Sequence, residues 1–301
     1  KLWPEARHYM VFVSVGDWGS MTGGFAGSAR GTPAFEAKLA TWARFWGDHV
    51  RSLGLEPQQL GLLLVDEPHD QAMYDAILAY TRVINRVEPD LTLWVDPQPG
   101  EDKTCLEMLR SMDVIVPHRP QWLQSKDWFP ALFGGLREEG KELGFYSADG
   151  PARSFDPYAY YLLQEWHCFK VGGTWAGFWS FGGDSRFSVW NEFAAGDRGS
   201  YCPLYLDDTG VTAGKWMEAV REGVQDYEYL VMLQDAVGKA RAAGNASPAA
   251  SAAAKLLAEA CDRVLAEADG RNYRWDVARD RTVVDTVRLE ILDALGSLAE
   301  R

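Results

Sequence analysis

LGLLLVDEP, residues 60–68, decides the fold of this chain. Leu60 to Val65 run without a polar interruption and stop at Asp66-Glu67-Pro68. A strand that is apolar throughout is buried on both faces, as in a parallel sheet covered by helices. In extended chain, Leu62, Leu64 and Asp66 share one face and Leu63, Val65 and Glu67 the other. The two carboxylates can meet one ligand only where the strand ends and twists away. Pro68 marks such an end, because it stops the ladder and holds Glu67 extended. A carboxylate beside another in a partly buried pocket has a raised pKa. One of the pair can then hold a proton near neutral pH while the other stays ionised. The competing reading is two solvated loop acids near a helix N-terminus.

Similar units recur on both sides. His8 to Val15 is a strand, followed by a glycine-rich loop from Gly16 to Gly31 and a helix from Thr32 to Leu53. Phe35, Leu39, Trp42, Trp46, Val50 and Leu53 fall at helical spacing on one face of it. Asp70 can cap the next helix, where Met73, Ile77, Tyr80, Ile84 and Val87 share a face. Strands follow at Leu91–Val95, Asp113–Val116, Leu143–Tyr146 and Thr174–Phe181. Helices are expected over 102–110, 122–139 and 156–169, then a long loop from Gly182 to Gly214. Helices over 215–242, 248–268 and 279–300 finish the chain, with Ser247 as a cap and Pro248 in the first turn.

That makes about six strand-then-helix units. A doubly wound sheet fits this alternation, but no GxGxxG or phosphate-binding loop is present. The polar residues Asp17, Asp66, Glu67, Asp96, His118 and Asp149 each follow a strand, which is where an α/β barrel carries its site. The expected fold is therefore a (β/α)8 TIM-type barrel lacking its first two strands, with extra C-terminal helices. Residues 1–242 form the barrel and 243–301 a helical extension packed on it. The start at Lys1, with neither a methionine nor a leader, points to a missing N-terminal part of the same protein.

Composition narrows the function. The 301 residues carry 30 basic and 43 acidic side chains, a net charge of −13. That balance argues against nucleic acid and against an anionic membrane surface. Apolar residues make up 47%, so most of the chain has a core to bury. No apolar run approaches the roughly 20 residues of a membrane span. Thirteen Trp, 12 Tyr and 13 Phe supply large flat rings, suited to core packing or to a sugar pocket. Cys105, Cys168, Cys202 and Cys261 lie far apart, with no CxxC and no metal-ligand spacing, so neither a metal nor a cofactor is expected. Asn245-Ala246-Ser247 fits a glycosylation sequon, a pattern short enough to arise by chance.

The run LLLVDEPHD, then LWVD, DVIVP, GPARSFDPYAYYLLQEWHCFKVGGTWAGFWSF and YLDDTGVTAGKWMEAVREGVQDYEYL resembles the catalytic barrel of glycoside hydrolase family 123. The match runs from about His8 to Leu233, and DEP and REGxxDYEYL are its most specific pieces. The resemblance implies hydrolysis of β-linked N-acetylgalactosamine, with the sugar's own acetamido oxygen as nucleophile, an exception to the two-carboxylate scheme. It implies Glu67 as general acid and then base, and Asp66 as the residue that orients the acetamido group. It also makes a secreted or periplasmic location plausible. A carbohydrate is the expected partner.

Further candidates for binding the sugar are Asp96, Tyr146, Trp175, Trp179, His118 and Arg153. Against each stands a structural alternative: core packing for the aromatics, a cap or turn for Asp96, an ion pair for Arg153. Arg119 joins His118 among the pocket-lining candidates. Arg221, Asp226 and Glu228 lie on a helix and are read as structural. Two rivals remain open: a glycosidase that uses Asp149 or Asp96 as a second carboxylate, and a carbohydrate-binding domain without catalysis.

Overall fold

The computed structural model describes residues 6–13, 15, 24–100, 103–125, 127–181, 201–268 and 272–299. The chain divides into two compact units, Lys1–His118 with Trp128–Gly144, and Arg119–Asp127 with Phe145–Arg301.

The first unit alternates strands and helices. Strand β1 (Tyr9–Phe12) leads to α1 (Pro33–Ser52), β2 (Leu60–Leu63) to α2 (Gln71–Val87) and β3 (Thr92–Val95) to α3 (Lys103–Arg110). After the two-residue β4 (Val114–Ile115) come α4 (Arg119–Gln124), which belongs to the second unit, then α5 (Trp128–Glu138) and β5 (Glu142–Ser147). The strands pair parallel, with Val11 opposite Leu62, Leu62 opposite Leu93, and Val95 opposite Ile115. Leu62, Leu63, Leu64 and Val65 are all buried, as the unbroken apolar run requires.

Local chemistry sets the helix ends. The Thr32 hydroxyl accepts the Phe35 N–H at 3.2 Å and Asp70 accepts the Met73 N–H at 2.9 Å, each satisfying an orphan donor of the first turn. Along α2, Met73, Ile77, Tyr80 and Ile84 are buried as their spacing predicts. On α1 the buried line is Phe35, Leu39, Ala43 and Val50, whereas Leu53 is exposed. The single helix expected over 122–139 is instead two, α4 and α5. Pro130 lies in the first turn of α5; its ring would clash with the carbonyl four residues earlier, so the helix starts anew there.

The second unit holds the end of β5, a π-helical turn (Tyr158–Leu162), α6 (Leu163–Lys170) and β6 (Trp175–Phe178). A hairpin of β7 (Leu204–Asp207) and β8 (Gly210–Ala213) lies inside the stretch read as loop. Asp207 accepts the N–H groups of Thr209 and Gly210 at 2.7 and 3.1 Å and so makes its turn. Helices α7 (Lys215–Ala242), α8 (Pro248–Val264) and α9 (Val283–Ala299) follow. Their core gathers Trp166, Leu230, Leu233, Ala260 and Val287. A Cβ at Gly223 would stand 2.8 Å from the Glu165 side chain and 3.0 Å from the Leu162 carbonyl, so glycine permits the approach of α7 to α6. Asp226 is buried; it accepts the Trp166 indole N–H at 2.9 Å and pairs with Arg288. It is a structural carboxylate, as its place on a helix suggested.

The six-stranded sheet has the order β1-β2-β3-β4-β5-β6, with no reversal. A doubly wound sheet reverses its order at a switch point, so that alternative is excluded. The fold is α/β with six parallel strands wound in one direction. No described helix is long and apolar enough to cross a membrane. All four cysteines are buried. Among the described residues no cluster of His, Cys, Asp and Glu could hold a metal.

Burial pushes Glu165 up to about 7, and the nearby Arg119 offsets this only in part. Its proton is therefore held more tightly in the folded state than in the unfolded one. The stability it contributes is complete below its ordinary value of 4.5 and is lost as pH rises towards about 7. Denaturant unfolding across that range should show stability falling with pH in the native sequence, and a flatter profile in Glu165→Gln.

Candidate active site

The ladder between β1 and β2 runs on past the strands, with the Val15 N–H donating to the Leu64 carbonyl at 2.8 Å. Asp66 is the first residue after it to reach partial exposure. Glu67 then takes φ +44°, a left-handed conformation uncommon for any residue but glycine. This corrects the extended geometry expected ahead of Pro68. Proline disfavours the right-handed helical region for its predecessor, and here the chain leaves that region by turning left-handed. A left-handed residue breaks the alternation of a strand, so Asp66 and Glu67 are freed from pointing to opposite faces.

Such a residue costs on the order of 1–3 kcal/mol and persists only where its surroundings fix it. Here the Glu67 N–H donates to Asp96 Oδ1 at 3.0 Å. The Glu67 carbonyl lies 2.8 Å from His69 Nδ1, and the Gln98 N–H donates to the Pro68 carbonyl at 3.1 Å. The turn is thus fastened mainly by the segment that follows β3.

Asp96 is buried, with 6% of its surface exposed, and hydrogen-bonds Asp66. Burial, then the Asp66 charge and the bond to it, push Asp96 well above the usual carboxylate range; the Glu67 N–H pulls weakly the other way. Asp66 is thus hydrogen-bonded by Asp96, just past the neighbouring strand. When it carries its proton, Asp96 donates to Asp66. What the arrangement offers is an oriented carboxylate beside a second, partly exposed carboxyl on a rigid turn.

The other predicted residues stand in separate places. His118 is buried just after β4 in the first unit. In the second unit, half-buried Tyr146 is the penultimate residue of β5, and Arg153 lies in a single 3₁₀ turn (Ala152–Ser154). Trp175 opens β6 half-buried; Trp179, just past its end, is 56% exposed, and its N–H donates to the Ser147 carbonyl at 2.9 Å. Arg119 opens α4. It is buried, and its guanidinium donates to the Ala159 and Tyr160 carbonyls, both at 3.2 Å, bracing the π-helical turn. Asp17, and the 182–200 part of the expected loop, lie outside the described residues.

One group was missed altogether. The Tyr273 hydroxyl donates to the Asp149 carboxylate across 124 residues of sequence. No local pattern signals such a pairing; only the return of the C-terminal segment creates it.

No family model matches this sequence, and no curated protein does. Among solved structures, a family 123 glycoside hydrolase from Clostridium perfringens, studied for glycolipid glycan hydrolysis, has a similar fold. The TM-score is 0.56 at 14% identity, and the match covers 90% of this chain and 46% of that one. The chain thus spans just under half the length of that enzyme. At this identity the likeness is one of fold.

The Asp96 contacts predict a split between two substitutions. Asn can still donate to Asp66 and accept the Glu67 N–H, so Asp96→Asn should melt within a few degrees of the native protein. Asp96→Ala leaves both partners unsatisfied and should lose about 2 kcal/mol in chemical denaturation. Equal losses in the two variants would contradict the assigned bonds.

Proposed function

We propose that this chain is the catalytic part of a glycoside hydrolase that removes β-linked N-acetylgalactosamine, or a related N-acetylhexosamine, from chain ends with retention. The strained turn at Glu67, held by Asp96 beside Asp66, is the observation that carries the reading. The fold likeness to a family 123 enzyme supports it. The same proposal takes the six strands as six of the eight of a (β/α)8 barrel, with residues 1–242 as barrel and 243–301 as helical extension.

The proposed steps follow from the residues. Asp66, hydrogen-bonded by Asp96, accepts the acetamido N–H of the bound sugar. That bond draws electron density onto the acetamido oxygen and aims it at C1. As this oxygen attacks, the C1 bond to the aglycone breaks, and Glu67 gives its proton to the departing oxygen. The sugar is then an oxazolinium ion, whose positive charge Asp66 faces. Glu67, now a carboxylate, takes a proton from water, and the water attacks C1 from the side the aglycone left. The oxazolinium ring opens, the acetamido group is restored, and two inversions give net retention. Asp96 acts through Asp66 as a positioning residue, and its burial suits that role better than that of an exposed nucleophile. Trp175, Trp179, Tyr146, His118 and Arg153 are carried in this proposal as sugar-binding residues.

Turnover of 4-nitrophenyl β-N-acetylgalactosaminide tests this. Glu67→Gln should lower kcat by about 10²–10⁴-fold, the usual worth of a general acid–base group. Asp66→Asn should lower it comparably, and an oxazoline-mimicking thiazoline should inhibit the native protein. Full activity in purified Glu67→Gln would remove the proposal. Turnover of glycosides that lack an acetamido group, unaffected by the thiazoline, would replace it with a two-carboxylate mechanism.

A further inference from the structure

The segment after α8 carries a buried cation whose donors the surrounding protein leaves unmet. The Arg279 side chain is 1% exposed, and its Nε, Nη1 and Nη2 all lack a hydrogen-bond partner. Burying a polar group unpaired costs stability, and burying a charge costs more. Arg279 faces Asp156 Oδ2 at 3.4 Å, but that oxygen already accepts from Arg281, Nε at 3.0 Å and Nη2 at 2.8 Å. The other oxygen of Asp156 accepts the Tyr158 N–H at 3.1 Å. The backbone fixes this meeting. The Tyr273 carbonyl accepts the Asp156 N–H at 2.9 Å and Arg274 bridges to Phe155, so the returning segment lies along the entry to the π-helical turn.

A second buried guanidinium acts on the same region. Arg119 Nη1 is spent on the Ala159 and Tyr160 carbonyls, and its Nε has no partner. Burial pulls Arg119 down to about 10, with the Arg279 charge adding to the fall, so it stays charged at neutral pH. Glu165 is the acid that acts on Arg119. Burial pushes it up to about 7, so near neutrality it supplies only part of a negative charge. Burial pulls His167 down to about 3, which leaves it neutral. Asp280 and Glu267 act on Tyr158, as Arg279 does, but both are exposed and screened by water. Asp280 is moreover bound to the Thr282 N–H and hydroxyl, and Glu267 to the Asp280 N–H. The buried charges are therefore Arg119 and Arg279 against Asp156, shared with Arg281, and a fraction of Glu165. Positive charge is in excess.

We propose that Arg279 holds a small monovalent anion of the halide class inside the second unit, in the field of Arg119. A guanidinium carries its N–H donors in a rigid fork, so neighbouring ones converge on one spherical acceptor. A water molecule accepts from those donors but leaves the excess charge in place; an anion answers both. One negative charge matches the excess, whereas a phosphate or another dianion would be repelled by Asp156. Burial of the side chain restricts the ligand to a small ion. The anion fastens the 272–281 segment more firmly than the shared Asp156 alone, so the folded state gains stability with anion concentration. The site is independent of the glycosidase reading and needs neither Asp66 nor Glu67.

The test is thermal unfolding of the full chain in sodium chloride and in sodium gluconate, matched in ionic strength up to about 0.2 M so that general screening is equal. Gluconate carries the same charge but is too large for a buried site. Tm should rise saturably in chloride, by a few degrees over gluconate. Arg279→Gln removes the guanidinium, keeps Arg281 on Asp156, and should abolish that increment. A second measurement needs no variant: crystals of the native protein grown in bromide should show an anomalous scatterer against the Arg279 nitrogens. Equal Tm in the two salts would overturn the proposal. So would a chloride increment undiminished in folded Arg279→Gln, or bromide crystals with water alone at Arg279.

Discussion

The hydrogen bond from the Glu67 N–H to Asp96 is the constraint on which the first unit's chemistry depends. Without a fixed acceptor for that N–H, a glutamate would have little reason to stay at φ +44°. With it, the end of β2 turns sharply and presents two successive acids on a rigid support. Asp96 performs two tasks with one side chain: an oxygen accepts from the Glu67 backbone, and the carboxyl bonds Asp66. Its burial makes both effective, because a desolvated acid resists losing its proton and a desolvated hydrogen bond is stronger. The parallel register places Leu62 against Leu93, so the ends of β2 and β3 arrive together.

Buried carboxylates organise the second unit in a different way. Asp156 gathers Arg279 and Arg281, and Asp226 gathers Arg288 and Trp166. Removing one partner of such a pair leaves a buried charge uncompensated, which costs about 3–5 kcal/mol. These acids fasten the C-terminal helices and the 272–281 segment, and that segment in turn positions Tyr273 on Asp149. Asp66 and Glu67 at their strand end thus stay partly exposed, whereas Asp156 and Asp226 are consumed in pairs.

Much of this was legible in the sequence, for physical reasons. The unbroken apolar run of residues 60–65 required a doubly buried parallel strand, and Thr32, Asp70 and Ser247 marked their helix starts because each side chain can accept an orphan N–H. The winding direction was legible only as a preference until the strand order excluded a switch point. The β7–β8 hairpin escaped because β8 is exposed throughout and carries no burial pattern. At the site, Asp66 and Glu67 stood out as adjacent acids after that run. Their true geometry did not, since the left-handed turn is imposed by Asp96, 29 residues on. The Tyr273–Asp149 contact, across 124 residues, had no local signal at all.

Glu67 occupies a position that favours glycine, at φ +44°. Comparing the unfolding free energies of Glu67→Gly and Glu67→Ala tests this directly, because both delete the carboxyl and only glycine relieves the backbone. Glycine should be more stable than alanine by about 1 kcal/mol, with glycoside turnover lost in both. An alanine variant as stable as the glycine one, or turnover surviving in either, would contradict the account.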